Sequence, residues 1–263
     1  CKSERCVYAF VGITTNEQSV KLYDSQTETY PVDVPLTMLF GDLPITDIKV
    51  STDEKKIFND SVSSEHSFKE TLKNVLQHPT VASKSFLITI GDRTVGGMVA
   101  RDQFIGPYQV PVSDYSMSLR SFTSSGGEVL TIGEKPTIAI NNPAASMRMA
   151  MAEALLNMSG VYIKGLDEVQ GSANWMAASG ENDRDYELFE AVKTVGMELC
   201  PKLGISIPVG KDSMSMKTSW NDNDSKTVTS PLSLIVSAFS ETYNVNKTLT
   251  PQLNLEKSSS LIL

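Results

Sequence analysis

The sequence predicts a mixed α/β or α+β fold, and three observations lead to this class. The 263 residues are 40% hydrophobic and 21% charged, a composition typical of a soluble globular protein. Short apolar runs come first, two longer segments with helical periodicity follow, and further apolar runs come last. No internal repeat is detectable, and no apolar run reaches the roughly 18 residues that a membrane helix requires.

The first 80 residues contain an apolar run, Val7–Val11, and a segment of period-two alternation, Ser19–Asp24, and both predict strands. The stretch 33–60 is broken by proline and glycine and then becomes charged, which is typical of a linker or an irregular segment. A capping box that starts at Ser67 predicts a connecting helix, and the apolar stripe of this helix ends before His78.

Between residues 80 and 140, short apolar runs are separated by glycine and proline. We expect strands at five of them: Phe86–Ile90, Met98–Ala100, Tyr108–Val112, Glu128–Gly133 and Thr137–Ile140. The charged residues and glycines of Gly91–Gly97 predict a loop between the first two.

Two long helices are expected after residue 140. Asn142 followed by proline is a strong helix start, and apolar residues at helical spacing continue to Gly160. A second helix is expected over Asp185–Leu203, with a bend at Gly196 or Pro201. The remaining segments predict a strand, a loop, a polar loop and a final strand, in this order: Ile205–Val209, Gly210–Met216, Asn221–Lys226 and Leu232–Phe239.

Charge and cysteine content exclude several classes of function. The chain has 23 basic and 31 acidic side chains and a net charge of −8, so its surface repels nucleic acid and anionic lipid. We therefore expect no nucleic-acid and no membrane partner. Cys1, Cys6 and Cys200 form no CxxC pair and have no histidine at ligand spacing, which disfavours a zinc site or a disulfide framework. A reducing, cytoplasmic setting is expected.

One constellation suits a hard cation. Glu153 and Asn157 are four residues apart on the first long helix and therefore share a face. Two oxygen-bearing side chains together suit magnesium, which fills its other positions with phosphate and water. Asp114, after a predicted strand, is a candidate third ligand. The alternative is a solvated helix face with no ligand.

Two glycine-containing loops leave alternatives open. Gly210–Ser215 combines lysine, aspartate and hydroxyls after an apolar strand, and it is either a phosphate-binding loop or a polar turn. Gly91–Pro107 interleaves charges with glycines, and it either forms tight turns with salt bridges or approaches an anion. Cys200 has an apolar helical context and is expected to be a buried thiol rather than a nucleophile. Trp175 is either a core anchor or a pocket wall.

Several strings occur in an order that is characteristic of one family: His78–Lys84, Gly91–Pro111, Asn142–Ser146, Ala152–Asn157, Ser172–Ala178 and Val209–Met216. On these strings the chain closely resembles the central part of the large single-chain phosphoribosylformylglycinamidine synthases. The resemblance covers essentially all 263 residues, and its most specific motifs lie between Lys84 and Met216.

The resemblance implies a domain organisation. Residues 1–50 would be the tail of a first C-terminal domain of the aminoimidazole ribonucleotide synthetase (PurM) type, and 51–79 a linker and connecting helix. Residues 80–250 would be the N-terminal domain of the second half, and 251–263 the start of the next C-terminal domain. The first residue, Cys1, and the apolar end of the chain likewise suggest a piece of a longer polypeptide, whose remaining domains, including a glutaminase domain, would be its partners.

The resemblance also implies a reaction. Members of the family convert formylglycinamide ribonucleotide to the amidine in purine biosynthesis. They use ATP to activate the amide oxygen and ammonia from glutamine as nucleophile. The isolated 263 residues are expected not to turn over substrate, because the other domains are missing.

Residue by residue, the resemblance implies a site for Mg²⁺ and ATP or ADP. The metal ligands would be Asp114, Glu153 and Asn157, the trio that helix spacing also suggests. Ser113 falls on a nucleotide-contact position of the family, and Lys84 and Gln103 are further candidates. A further metal ligand would lie in the next domain, and no catalytic residue is assigned.

One position departs from the family pattern. Gln170 stands where the family commonly has a lysine, so a phosphate contact from that position is not expected. The alternative function is a non-catalytic scaffold or partner-binding homologue that keeps the fold without binding nucleotide.

Overall fold

The computed structural model describes residues 2–41, 44, 47, 50, 65–90, 97–181, 184–256, 258 and 260, with the side chains of 88–90 excepted. The chain divides into two compact units, Cys1–Lys49 and Val50–Leu263. The finer domain boundaries expected from the sequence, at 1–50, 51–79, 80–250 and 251–263, remain predictions. Among the described residues, no helix combines the length and the apolar character needed to cross a bilayer.

The first unit is a β-hairpin followed by a short helix. Strands β1 (Ser19–Asp24) and β2 (Thr29–Pro35) pair antiparallel, and α1 covers Leu36–Phe40. The strand predicted at Ser19–Asp24 is confirmed. The strand predicted at Val7–Val11 is wrong, because this run is irregular and exposed and forms no ladder with a strand of the described residues. An apolar run becomes a strand only where a neighbouring strand takes up its backbone hydrogen bonds.

Helix α2 (Phe68–Gln77) in the second unit confirms the predicted connecting helix. Ser67 and Glu70 form the capping box: the Glu70 carboxylate accepts from the Ser67 amide at 2.9 Å, and the Ser67 hydroxyl accepts from the Glu70 amide at 3.4 Å. These contacts satisfy two amides at the helix start that have no partner within the helix.

The centre of the second unit is a six-stranded sheet with the order β3-β4-β5-β10-β6-β7. All neighbours are antiparallel except β6 and β7, which are parallel. The strands are β3 (Val99–Arg101), β4 (Ser116–Leu119), β5 (Gly127–Gly133), β6 (Gln170–Met176), β7 (Ser206–Ser213) and β10 (Ser233–Thr242). A separate hairpin is formed by β8 (Lys217–Asp222) and β9 (Asp224–Thr229).

The other helices of this unit are α3 (Ser85–Ile90), α4 (Pro136–Ala139), α5 (Pro143–Met158), α6 (Arg184–Lys193) and α7 (Cys200–Leu203), with a π-helical turn at Thr194–Leu199 joining α6 to α7 and a 3₁₀ turn at Leu166–Glu168. Helix α5 packs on β5 and β10, and α4 and α6 contact α5. Both predicted long helices are confirmed, and the π turn contains Gly196, one of the two positions expected to bend.

The core lies between the sheet and α5. Alternate residues of β5 are buried, among them Val129 and Thr131, and they face the helix. The apolar stripe of α5 meets them, with Met147 and Ala154 fully buried. Trp175 belongs to the same cluster, which decides that it is a core anchor. On the opposite face of the sheet, the β5 side chains of Leu130 and Ile132 are exposed.

Three predicted strands are wrong. Phe86–Ile90 lies in α3 and Thr137–Ile140 largely in α4, because a short apolar run does not distinguish a buried strand from a helical turn. Pro136 favours the helix, since its fixed φ suits the first helical position. Tyr108–Val112 forms only a single bridge from Val112 to Phe104.

Two predicted loops are largely strand. Residues 210–213 continue β7, paired in register with β6 from Ala173 to Met176. The polar segment Asn221–Lys226 forms the tip of the β8–β9 hairpin, where Asn223 adopts a φ of +60°. Asparagine tolerates this conformation better than most residues, so a polar string can close a hairpin. Residues 91–96 of the predicted Gly91–Gly97 loop, and the last three residues, lie outside the described part of the chain.

Replacing Asn142 by alanine is expected to destabilise the second unit by about 1 kcal/mol. The Asn142 side chain accepts a hydrogen bond of 2.9 Å from the Ala145 amide at the start of α5. Urea denaturation would measure the change. Asn141→Ala, one residue earlier and also exposed, is the control and should stay within about 0.5 kcal/mol. Equal effects of the two changes would contradict the capping role.

Candidate functional site

The predicted metal-ligand face of α5 contacts the end of β5. The Asn157 amide nitrogen donates to the Ile132 carbonyl oxygen at 3.2 Å, and the Glu153 carboxylate accepts from the Glu134 amide at 2.8 Å. Glu153 also forms an ion pair with the ammonium group of Lys135. Glu153 and Asn157 therefore both contact the segment 132–135, at the end of β5 and directly after it. We call this segment the β5 turn.

Electrostatics keep the Glu153 carboxyl ionised. Burial alone raises its pKa, but the hydrogen bonds from Lys135 and the Glu134 amide, with the charge of Lys135, outweigh that effect. The net result is a pKa below the ordinary value for glutamate. A carboxylate that is charged at neutral pH and a third exposed can bind a cation from solution.

A cavity of about 210 Å³ lies beside this turn. Its lining includes Gln103, Ser113 and Asp114, three of the predicted site residues, together with Arg101 and Ile132. Asp114 is exposed there. Because Ile132 lines the cavity and also accepts the hydrogen bond from Asn157, the cavity adjoins the β5–α5 contact.

Backbone pairing places Gln103 and Ser113 side by side. The Ser113 amide donates to the Gln103 carbonyl oxygen at 2.8 Å, and the Ser113 hydroxyl donates to the Tyr115 carbonyl oxygen at 2.8 Å. Lys84 is not among the described residues that line this cavity. Its ammonium donates instead to the carbonyl oxygens of Pro79 and Ala82, at 2.5 and 2.6 Å, directly before α3.

The side-chain types are those that magnesium prefers: Asp114 and Glu153 carry carboxylate oxygens and Asn157 carries an amide oxygen. Among the described residues, however, Asp114 lines the 210 Å³ cavity and Glu153 and Asn157 do not. Each oxygen of Glu153 already accepts one hydrogen bond and keeps a further lone pair. The side-chain nitrogen of Asn157 donates to Ile132, so the side-chain oxygen of Asn157 is directed away from Ile132. The part of the chain that the structure describes holds no cluster of three or more His, Cys, Asp or Glu side chains suited to a metal.

Two basic residues at the site were not predicted individually, although Arg101 lies in the Gly91–Pro107 string that was a candidate anion site. Lys135 follows the predicted strand Glu128–Gly133 and precedes Pro136, so a charged residue between a strand end and a helix start was the available signal. Arg101 lines the 210 Å³ cavity and two larger ones of about 480 and 520 Å³. One of its terminal nitrogens donates to the Thr248 hydroxyl at 2.7 Å.

The other loops singled out in the sequence lie elsewhere. Gly210–Ser213 belongs to β7, at the sheet edge opposite β3, so the structure does not bring it to Asp114. The described part of Gly91–Pro107 lines the 480 Å³ cavity through Gly97, Asp102 and Gly106. Cys200 is half-buried, and burial raises the pKa of its thiol, as expected for a structural cysteine.

The described residues form a mixed α/β domain in which α5 packs on β5 and β10 of a six-stranded, mostly antiparallel sheet. Residues 83–241 match the family described as FGAR-AT PurM_N-like domain, which is more than half of the chain. The chain belongs to this family. The resemblance and the PurM-type N-terminal fold expected from the sequence are both confirmed.

Solved structures of PurL share the fold. PurLQS from Thermotoga maritima matches with a TM-score of 0.54 and 16% identity, over 90% of this chain and 33% of that one. T. maritima PurL complexed with ATP gives 0.52 and 14%, with the same coverage. The complex with ADP gives 0.51 and 16%, over 90% of this chain and 34% of that one. The chain thus spans about a third of these proteins.

Proposed function

We propose that this chain is part of a formylglycinamidine ribonucleotide (FGAM) synthase, an ATP- and glutamine-dependent ligase of purine biosynthesis, and contributes a magnesium–nucleotide site. The metal ligands are Asp114, Glu153 and Asn157. The observation that carries this proposal is the cavity lined by Gln103, Ser113 and Asp114 next to the β5 turn that holds Glu153 and Asn157. Family membership and the nucleotides named with the T. maritima PurL structures support it.

In this proposal each residue has a limited task. Asp114, Glu153 and Asn157 hold the ion, which neutralises phosphate charge when bound. Ser113 and Gln103 orient the nucleotide from the wall of the cavity. Lys84, at the start of α3, is a candidate for a phosphate contact and would have to leave the carbonyl oxygens that it now binds.

The whole enzyme would join an ATP-activated amide to ammonia from glutamine, and this chain holds no assigned catalytic residue for that reaction. Its contribution is therefore the nucleotide site and the scaffold around it. The chain covers about a third of PurL, so the glutaminase and the other synthetase-like domains would lie on other parts of the polypeptide.

The sheet face opposite α5 suits contact with those domains. Val99, Leu130 and Phe239 are 37–40% exposed on this face and line the 520 Å³ cavity. Leu130 and Phe239 are direct cross-strand partners. A sheet buries both faces when it packs between layers, so we propose that other domains of the same polypeptide cover this one.

Calorimetric titration with Mg·ADP tests the site. Asp114→Asn and Glu153→Gln keep the shape of the side chains and remove the charge, so each should weaken binding by about tenfold or more. Asp222→Asn on the distant hairpin is the control and should bind as the unmodified chain does, because Asp222 pairs with Lys226 and not with the site. Null heats for the unmodified chain and both site variants would favour the scaffold alternative.

A further inference from the structure

Hydrogen bonds hold the backbone around Lys135 in position independently of the ion pair that its side chain forms. Its carbonyl oxygen accepts from the Ser146 hydroxyl at 2.6 Å, and the preceding Glu134 carboxylate accepts from the Ser233 hydroxyl at 2.5 Å. The Glu134 amide binds Glu153 at 2.8 Å. The backbone of this turn is therefore tied to both α5 and β10, and it presents the Lys135 ammonium to the Glu153 carboxylate.

We infer that Lys135 is a built-in competitor for the metal: its ammonium occupies the Glu153 carboxylate and must yield when a divalent cation binds there. The inference rests on the proposed function, in which Glu153 is a metal ligand. The observation that carries it is the ion pair itself, formed by two side chains that are each 33% exposed.

Charge and geometry indicate that Lys135 competes with a metal ion for the Glu153 carboxylate and does not help to bind the ion. Two cations on one carboxylate repel each other, and partial burial screens this repulsion less than open water does. A lysine ammonium is a compact charge on a flexible stem, so it can move aside. The Glu134 amide binds the other carboxylate oxygen, which keeps the carboxylate oriented after Lys135 leaves. Lys135 is thus not needed to position Glu153.

The same helix provides a matched control. Arg148 on α5 pairs with Glu198 at 2.7 Å, and its side chain is 45% exposed. Arg148→Met changes the net charge of the chain by the same amount as Lys135→Met, but it leaves Glu153 and its partners intact. Any effect of net charge alone on cation binding should therefore be equal in the two variants.

The test is a titration of the chain with Mn²⁺ alone, without nucleotide, in which electron paramagnetic resonance measures the free ion. Lys135→Met should bind Mn²⁺ about tenfold more tightly than the unmodified chain, which corresponds to about 1.4 kcal/mol. Lys135→Arg keeps the cation and should not gain affinity. Arg148→Met should stay within about twofold, as expected for an exposed pair. Lys135→Gln provides a second neutral variant, and thermal melting shows that each variant is folded at the titration temperature.

Unchanged or weaker Mn²⁺ binding by both Lys135→Met and Lys135→Gln would overturn the inference, and weaker binding would show that Lys135 supports the ligand. Failure of the competition inference can be distinguished from failure of the proposed function. If Asp114→Asn weakens Mg·ADP binding while Lys135→Met leaves Mn²⁺ binding unchanged, only the competition is wrong. If the unmodified chain binds neither Mn²⁺ nor Mg·ADP, both proposals fall.

Discussion

Gly133→Ala is expected to destabilise the second unit by about 3 kcal/mol or more. A Cβ atom at Gly133, the last residue of β5, would lie 2.7 Å from the Ala154 amide nitrogen and closer still to the Ala150 carbonyl oxygen. Both obstacles are backbone atoms of α5 and cannot rotate away. The strand and the helix would have to separate, which disturbs the most buried part of the core.

Gly210→Ala is the control for this change. Gly210 also lies in a strand of the same sheet, but a Cβ atom there meets nothing within 4 Å. It should leave stability unchanged within about 0.5 kcal/mol or raise it slightly, because alanine loses less backbone entropy on folding. Urea denaturation would measure both. A Gly133→Ala variant as stable as Gly210→Ala would show that β5 and α5 do not approach as described.

Met147→Ala should cost about 2–5 kcal/mol. The Met147 side chain is 0% exposed and lies in the central core cluster between α5 and the sheet. Truncation removes buried apolar atoms and leaves a cavity that the surrounding helix and sheet can fill only in part. The midpoint of urea denaturation should fall accordingly.

Met149→Ala, two residues along the same helix, separates burial from residue type. Met149 is 46% exposed, so its truncation should cost less than about 1 kcal/mol. Both changes replace methionine by alanine within α5 and alter helix propensity equally. Similar losses for the two variants would contradict the orientation of α5 on the sheet.

Local signals account for the elements that were predicted correctly. The capping box at Ser67 and the cap at Asn142 act within one turn of helix, so the sequence alone determines where α2 and α5 begin. The alternation in Glu128–Gly133 reflects one buried face, and β5 follows from it. Each of these signals depends only on residues that are close together in the sequence.

The errors concern segments whose conformation depends on distant partners. The apolar runs at Val7, Phe86 and Thr137 satisfy strand and helix patterns equally, and only the presence or absence of a neighbouring strand decides between them. Strand β6 went unpredicted because its buried positions include the small residues Gly171 and Ala173, which carry little periodic signal.

For the site, the helix face shared by Glu153 and Asn157 is predictable from local spacing, because side chains four residues apart lie on one side of a helix. The family is also predictable without coordinates, from strings that occur in a characteristic order along the chain. Three relations are visible only in the folded protein: Gln103, Ser113 and Asp114 line one cavity, this cavity adjoins the β5 turn, and the Lys135 ammonium pairs with the Glu153 carboxylate. Most of these relations join residues that are far apart in the sequence, such as Lys135 and Glu153. No local pattern encodes them, because they arise when strands and helices pack.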